Sequence, residues 1–564
     1  MPTLFVLLSV ALIPGASGPR AQDDPHAACA APPSYVPAEL LGRVVPLRTG
    51  IGNSHEAVTT TSKQAQAFYD QGLNYLESYV WIEASRSFQQ ALRLDPKLAM
   101  ANLGMSYVYS GLENPDAARQ FFDKAKALES NVGERERRRI DIRGKQLTAI
   151  EDINDSSRFL AYKKAIDDSI AKYLDDPQFW LLRGNAEESN ASGRGQRGGA
   201  ASIAFYNAVL RLVPNHASAH HYLVHSYETI GRIDEALEHG EIYARLAPSI
   251  PHAAHMWGHD LRRVGRVDDA IAQFKKTDGL ERVYYATEKM DPAFDWHHGH
   301  NLDLLASCYE HQGQMKLAEA TLRESAALEA VSVYRAFNMR ELSNFLIHRA
   351  RYQEALEAGR ALTATNYPQS RCVGHALAGQ ALLWLARPDE AKTELEAARR
   401  ELEAVPSLTL GLDPPRSMVE PWVDALRGEI LLREGQSDEG RAVLKDVVKA
   451  LRSAVGPDAW SQGLFRLETM ARSAREMADW DLAEFFAAQM LDHDAAYGGS
   501  HFALALALRH RGDAAGVARE VELARRYWRD ADRDLPELKT MADFGSAARA
   551  GGVKGKASDN RKMP

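Results

Sequence analysis

Twelve of the chain's 19 histidines lie between residues 216 and 311: His216, His220, His221, His225, His239, His252, His255, His259, His297, His298, His300 and His311. Uniform placement would put about three there. A neutral imidazole nitrogen is a good ligand for transition metals and a proton acceptor near neutral pH. Spacing sharpens the observation. His221 and His225 are four residues apart, as are His255 and His259, and the second pair follows the first by 34 residues. Residues four apart on an α-helix are neighbours on one face, about 6 Å apart. Packed helices lie about 8–10 Å apart. The two pairs are therefore expected to converge on one point, with His252, His300 and Asp303 completing or extending the set. Four imidazoles, or three with a carboxylate, suit Zn²⁺, Cu²⁺, Ni²⁺ or Fe²⁺. Glu228 and Glu310 could accept hydrogen bonds from the outer ring nitrogens.

Two metal-free readings compete. The histidines could line a polar groove and hydrogen-bond a peptide backbone, or they could be a solvated helix face. Arg262 and Arg263 are expected to edge the same groove, with His298 beside it. His55, in the arm before the first regular helices, is a further candidate to fold into it. No nucleophile–base motif such as GxSxG or HExxH occurs, so no reaction class follows. A metal-dependent enzyme would rest on an open ion activating water or dioxygen.

The elements that must position these residues are helices. Apolar residues recur at i, i+3, i+4 nearly throughout, and no strand pattern competes. Phe68, Gly72, Tyr75, Ala84, Phe88, Ala91 and Pro96 fall at places 4, 8, 11, 20, 24, 27 and 32 of a 34-residue unit. Places 4, 8 and 11 give one helix its apolar stripe, and places 20, 24 and 27 give it to a second. Small residues at 8 and 20 let the two approach, and the proline ends the unit. This pattern resembles the tetratricopeptide repeat (TPR). A second copy carries Tyr109, Ala118, Phe122 and Ala125, and weaker copies follow in phase. The resemblance implies an all-α, right-handed TPR solenoid of about nine to eleven helix pairs. It also implies a protein or peptide partner held in the concave groove.

Repeat phase places the histidines. His221 and His255 take place 5, His225 and His259 place 9, and His252 and His300 place 2. These places lie at about 140–200° on the helical wheel, away from a packing stripe centred near 30°. In a TPR array that side lines the groove. The stretches IGNSHEAVTTTSKQAQAFYDQGLNYL at 51–76, PHAAHMWGHDLRRVGRVDDA at 251–270 and HHGHNLDLL at 297–305 are similar to a group of exported bacterial TPR proteins. That resemblance implies the fold, an exported address and functional weight for the histidines, and it names no reaction.

Composition bounds the rest. The chain has 564 residues, 45% hydrophobic and 26% charged, with net charge −8. That is globular arithmetic without the basic field that a nucleic-acid binder needs. Three cysteines give no disulfide framework. Residues 4–14 form an apolar run too short to span a bilayer but suited to a signal peptide, and no later run is long enough to span one. The expected organisation is a signal peptide at 1–21, an arm at 22–62, repeats at 63–130 and a charged helical spacer at 131–176. Histidine-rich repeats at 177–332, degenerate repeats at 333–530 and a partly disordered tail at 531–564 complete it. The Gly-rich GRGQRGG at 193–199 lacks the GK[ST] ending of a phosphate-binding loop and reads as an insertion.

Overall fold

The computed structural model describes residues 36–188, 198–407, 409, 413–453 and 457–552. The signal peptide, the first part of the arm, most of the Gly-rich insertion and the tail beyond 552 lie outside the described residues. Among the described residues there is no strand and no helix long and apolar enough to cross a membrane.

The chain is an all-α solenoid of TPR type. Antiparallel pairs run from Lys63–Glu77 with Trp81–Leu94 to Gly498–Arg511 with Ala514–Tyr527, each packed on the next. The stretch 131–176, which the sequence marks only as a spacer, is itself a pair, Glu134–Glu151 with Ser156–Lys172. Helix starts follow capping chemistry. Ser62 accepts from the amide of Ala65 at 3.2 Å, and Asn114 accepts from that of Ala117 at 3.0 Å. Small residues at place 8 make the pairs tight. A Cβ on Gly72 would stand 2.7 Å from the Phe88 ring, and one on Gly258 would stand 2.8 Å from Phe274.

Two closures set this solenoid apart from an open groove. The arm folds back across the histidine pairs: the amide of Ser249 donates to the carbonyl of Gly50 at 2.8 Å, and Asn53 donates to that of Asn215 at 2.7 Å. Glu288, at the end of the 22-residue helix Val267–Glu288, pairs with Arg48 and with Arg86. From the other side, the late helix Pro457–Glu476 packs on Pro251–Arg263 and Trp296–His311. Asp494 accepts from Arg262 at 3.1 Å and from His311 at 3.0 Å. His348 reaches Glu310 with Nδ1 and Glu468 with Nε2, the latter at 3.0 Å. The Tyr497 hydroxyl donates to Glu468 at 2.6 Å.

This second closure is a buried ion-pair network. Burial alone would push the His348 imidazole down, but Glu468 and Glu310 outweigh it and raise its pKa from 6.5 to about 9. Burial opposes the charge on Glu468, but His348 holds its pKa down at about 2. A histidine raised by folding stabilises fully below its unfolded value, and that contribution is lost as pH rises through its folded value. The melting temperature should therefore fall between pH 6.5 and pH 9, and His348→Gln should remove most of that slope. Equal slopes in the two proteins would deny His348 this role. Glu468→Ala, which leaves His348 with Glu310 alone and the Tyr497 hydroxyl without its acceptor, should destabilise by about 3 kcal/mol in denaturant titration at neutral pH.

Candidate metal centre

Three first helices carry the histidines: Ala217–Thr229, Pro251–Arg263 and Trp296–His311. Proline at the first position starts the second, and Asp295 caps the third by accepting from the amide of His297 at 3.1 Å. Left-handed turns at Gly231, Gly265 and Gly313 end these helices and let each return tightly into its partner.

The four paired histidines do not meet at one point. They divide between two triads, each completed by the place-2 histidine of the following unit. His221, His225 and His252 form the first, and His255, His259 and His300 the second. In each, one nitrogen per ring lies within 4.8 Å of the other two. In the first, the nitrogens converge on His221. The His221 Nε2 is 3.1 Å from His225 Nε2 and 3.1 Å from His252 Nε2. Two ligands about 2.0–2.1 Å from one ion lie roughly 2.9–3.4 Å apart, depending on the angle between them.

The outer nitrogens fix which inner ones carry lone pairs. His221 Nδ1 donates to the carbonyl of Glu77 at 2.8 Å, which leaves Nε2 facing its neighbours. Asn301 donates its amide to the carbonyl of Phe274 at 3.0 Å, so its Oδ1 is the atom 2.9 Å from His255 Nδ1. That assigns the His255 proton to Nδ1 and leaves Nε2 as a lone pair. His300 Nδ1 lies 3.1 Å from the Tyr334 hydroxyl. The inner nitrogens His255 Nε2 and His259 Nε2 are buried without a hydrogen-bond partner. Burying such atoms unpaired is unfavourable, and donor sets of this kind are what an ion satisfies.

His297 is a seventh member that the spacing did not single out. Its Nδ1 donates to Glu281, while its Nε2 is buried and unpartnered. Its ring centroid lies 5.0 Å from that of His252 and 4.3 Å from that of His255, between the two triads. A carboxylate holding the outer nitrogen of a ligand histidine is a common device for orienting it. Glu281 also accepts from His298 at 2.9 Å, so His298 backs the centre. Asp278, Glu281 and His298 make a third cluster behind it.

Burial and the neighbouring rings keep His221, His252 and His255 neutral. Burial, then His225, holds His221 well below the usual range. Burial, then mutual repulsion among the rings, does the same for His252 and His255. Neutral imidazoles offer lone pairs to a metal without competition from protons. Burial opposes the charge on Glu281, but His297 and His298 outweigh it and keep the carboxylate ionised. Burial lowers and Glu281 raises His298, and the carboxylate wins.

The remaining candidates fall elsewhere. Asp303 accepts from Ser325 at 2.6 Å and faces Arg335 at 3.6 Å, outside both triads. Glu310 and Arg262 belong to the late closure, bound to His348 and Asp494. Arg263 donates to the carbonyl of Glu228 at 3.4 Å. Of the two glutamates at place 12, only Glu228 approaches a triad, 3.6 Å from His259 Nδ1. His55 sits in the arm but turns outward, with its Nδ1 2.8 Å from Asp70 and its side chain 65% exposed. Nor do the triads line an open groove. His221 and His255 are fully buried and His252, His259 and His300 nearly so, because the arm, the late helices and an aromatic shell cover them. Tyr79, Tyr243 and Trp296 pack on these rings, with Tyr243 stacked on His221 at 4.7 Å.

No family model and no curated protein matches the chain. Solved structures do. YrrB, described as a TPR protein with an unusual peptide-binding site, is 16% identical over 35% of this chain and 91% of its own, with a TM-score of 0.25. Human IFIT1, as a dimer with PPP-AAAA, is 12% identical over 83% of this chain and 91% of its own, at 0.33. Cut9–Hcn1, a hetero-tetramer from APC/C, is 9% identical over 85% and 96%, at 0.30. At these identities and scores, ligand and activity have to be read from the residues.

Loss of the Glu281 carboxylate should loosen His297. Glu281→Gln is expected to weaken zinc binding about 10–100-fold in a competition titration against a chromogenic chelator. Unchanged affinity would remove His297 from the ligand set.

Proposed function

We propose that the protein is a metal-binding helical-repeat scaffold whose two triads, with His297 between them, hold a pair of transition-metal ions. The carrying observation is the convergence of two imidazole triads, with the inward nitrogens of His255 and His297 buried and unpartnered on rings whose outer nitrogens are already bound. Both triads are built from imidazole alone. That donor set suits zinc or copper better than iron, whose open sites usually include a carboxylate. The metal-free peptide groove has less support here, because the rings face one another and the chain covers them. A protein partner, of the kind TPR scaffolds commonly hold, would meet another surface.

Elemental analysis of protein purified without a metal column should find about two ions per chain. His221→Ala and His255→Ala should each lose about one while keeping their helical content. Cu²⁺ added to the metal-free protein should quench tryptophan emission, since Trp296 lies 5.9 Å from His252 and 5.3 Å from His297. Protein that holds neither zinc nor copper after both are offered would overturn the proposal.

A further inference from the structure

A cavity of about 110 Å³ opens beside the first triad, inside the early repeats. Its lining sets the rings of Tyr69, Tyr79, Trp81, Phe88, Tyr107 and Tyr222 among leucines and a few polar groups, Glu56, Glu77, Arg139 and Arg143 among them. An apolar cavity of roughly 150 Å³ accepts benzene, so this one limits an occupant to about one small ring. The side chains of Leu76, Tyr107, Ser110 and Leu182, at its edge, are half-buried and give it a mouth.

The cavity and the triad share structure. Tyr79 is a common wall, with its ring 4.6 Å from that of His221, 5.8 Å from His225 and 5.4 Å from His252. Its backbone is left-handed, with φ of 59°. The histidine-bearing pairs have glycine at the equivalent turn, at Gly231 and Gly265. A tyrosine in that conformation is strained, and here its ring lies against the three imidazoles. Glu77 is the second link. Its carbonyl holds His221, and its side chain lines the cavity while one carboxylate oxygen accepts from Ser54 and Ser218 and the other from Gln178 at 2.9 Å. The oxygen that serves Gln178 keeps one acceptor site, which suits a ring that carries a hydrogen-bond donor.

We propose that this cavity binds a one-ring aromatic molecule bearing a hydroxyl and holds it against Tyr79, next to the first triad. Binding rests on the cavity alone, and its neighbourhood to an ion rests on the metal-centre reading. The site is the more reachable of the two, since His225 is its one half-buried ring whereas all three rings of the second triad are buried.

Phenol is the probe, titrated calorimetrically into metal-free and Cu²⁺-loaded full-length protein, with cyclohexanol as the saturated control. Phenol should bind at about one per chain and about tenfold tighter than cyclohexanol, through ring–ring contacts that the control lacks. In the Cu²⁺-loaded protein it should shift the visible absorption band. Leu103→Phe and Leu181→Phe, which fill the cavity, should each weaken phenol binding tenfold or more at unchanged metal content. Leu182→Phe, at the mouth, repeats the test should either buried variant lose helical content. Equal affinity for the two probes, or undiminished binding in folded filling variants, would overturn the proposal. Phenol binding by a protein that takes up no metal would leave the cavity standing and remove the metal reading. Metal uptake without phenol binding would do the reverse.

Discussion

Seven imidazoles packed ring against ring, largely away from water, are the constraint that the rest of this fold answers to. Left open, that side of the helices would hydrate and the rings would titrate separately near their ordinary pKa. Covered, His221, His252 and His255 are kept neutral by burial and by the neighbouring rings. The cover comes from elements far apart in sequence. The arm crosses from the first repeat to the fifth and sixth pairs, and the late helices reach back to the sixth and seventh. A solenoid stabilised only by nearest neighbours has no need of either closure.

The two closures use different mixtures of contacts. The late one is dominated by charge: Arg262 and His311 on Asp494, and His348 between Glu310 and Glu468. The arm combines backbone and amide hydrogen bonds with ion pairs, Arg48 on Glu288 and Glu56 on Arg139. Both converge on the long helix Val267–Glu288 and its neighbours. Its extra turns carry Glu281 over His297 and His298, and Glu288 out to the first repeat. One lengthened helix thus orients His297 and anchors the cover.

Much of the fold was legible because TPR packing is local. Phe88 on Gly72 and Phe274 on Gly258 are read directly from places 8 and 24. The histidine phase was legible for the same reason. Its partition into triads was not. Whether His252 leans back to His221 or forward to His259 depends on how far each unit rotates on the last, and the wheel of one helix does not contain that angle. His297 and Glu281 were missed for a different reason. Residues 285–298 fall outside the 34-residue phase, and that slip was the available signal that the preceding helix is longer than its repeat requires. The outward turn of His55 and the diversion of Arg262 and Glu310 follow from the closures, which no local pattern encodes.

The two triads are chemically alike but differ in surroundings. The second is fully buried, bordered by Phe274, Trp296 and Tyr334, with Glu228 as its nearest outside carboxylate. Burial and the Glu228 charge hold the adjoining Asp260 carboxyl well above the usual range. The first keeps one half-buried ring and borders a cavity. His297 lies against a ring of each triad, and His252 stacks directly on His255 at 5.8 Å, so the two triads are contiguous. Their difference in surroundings follows from which elements the superhelix brings over each triad, because the donor atoms themselves are the same.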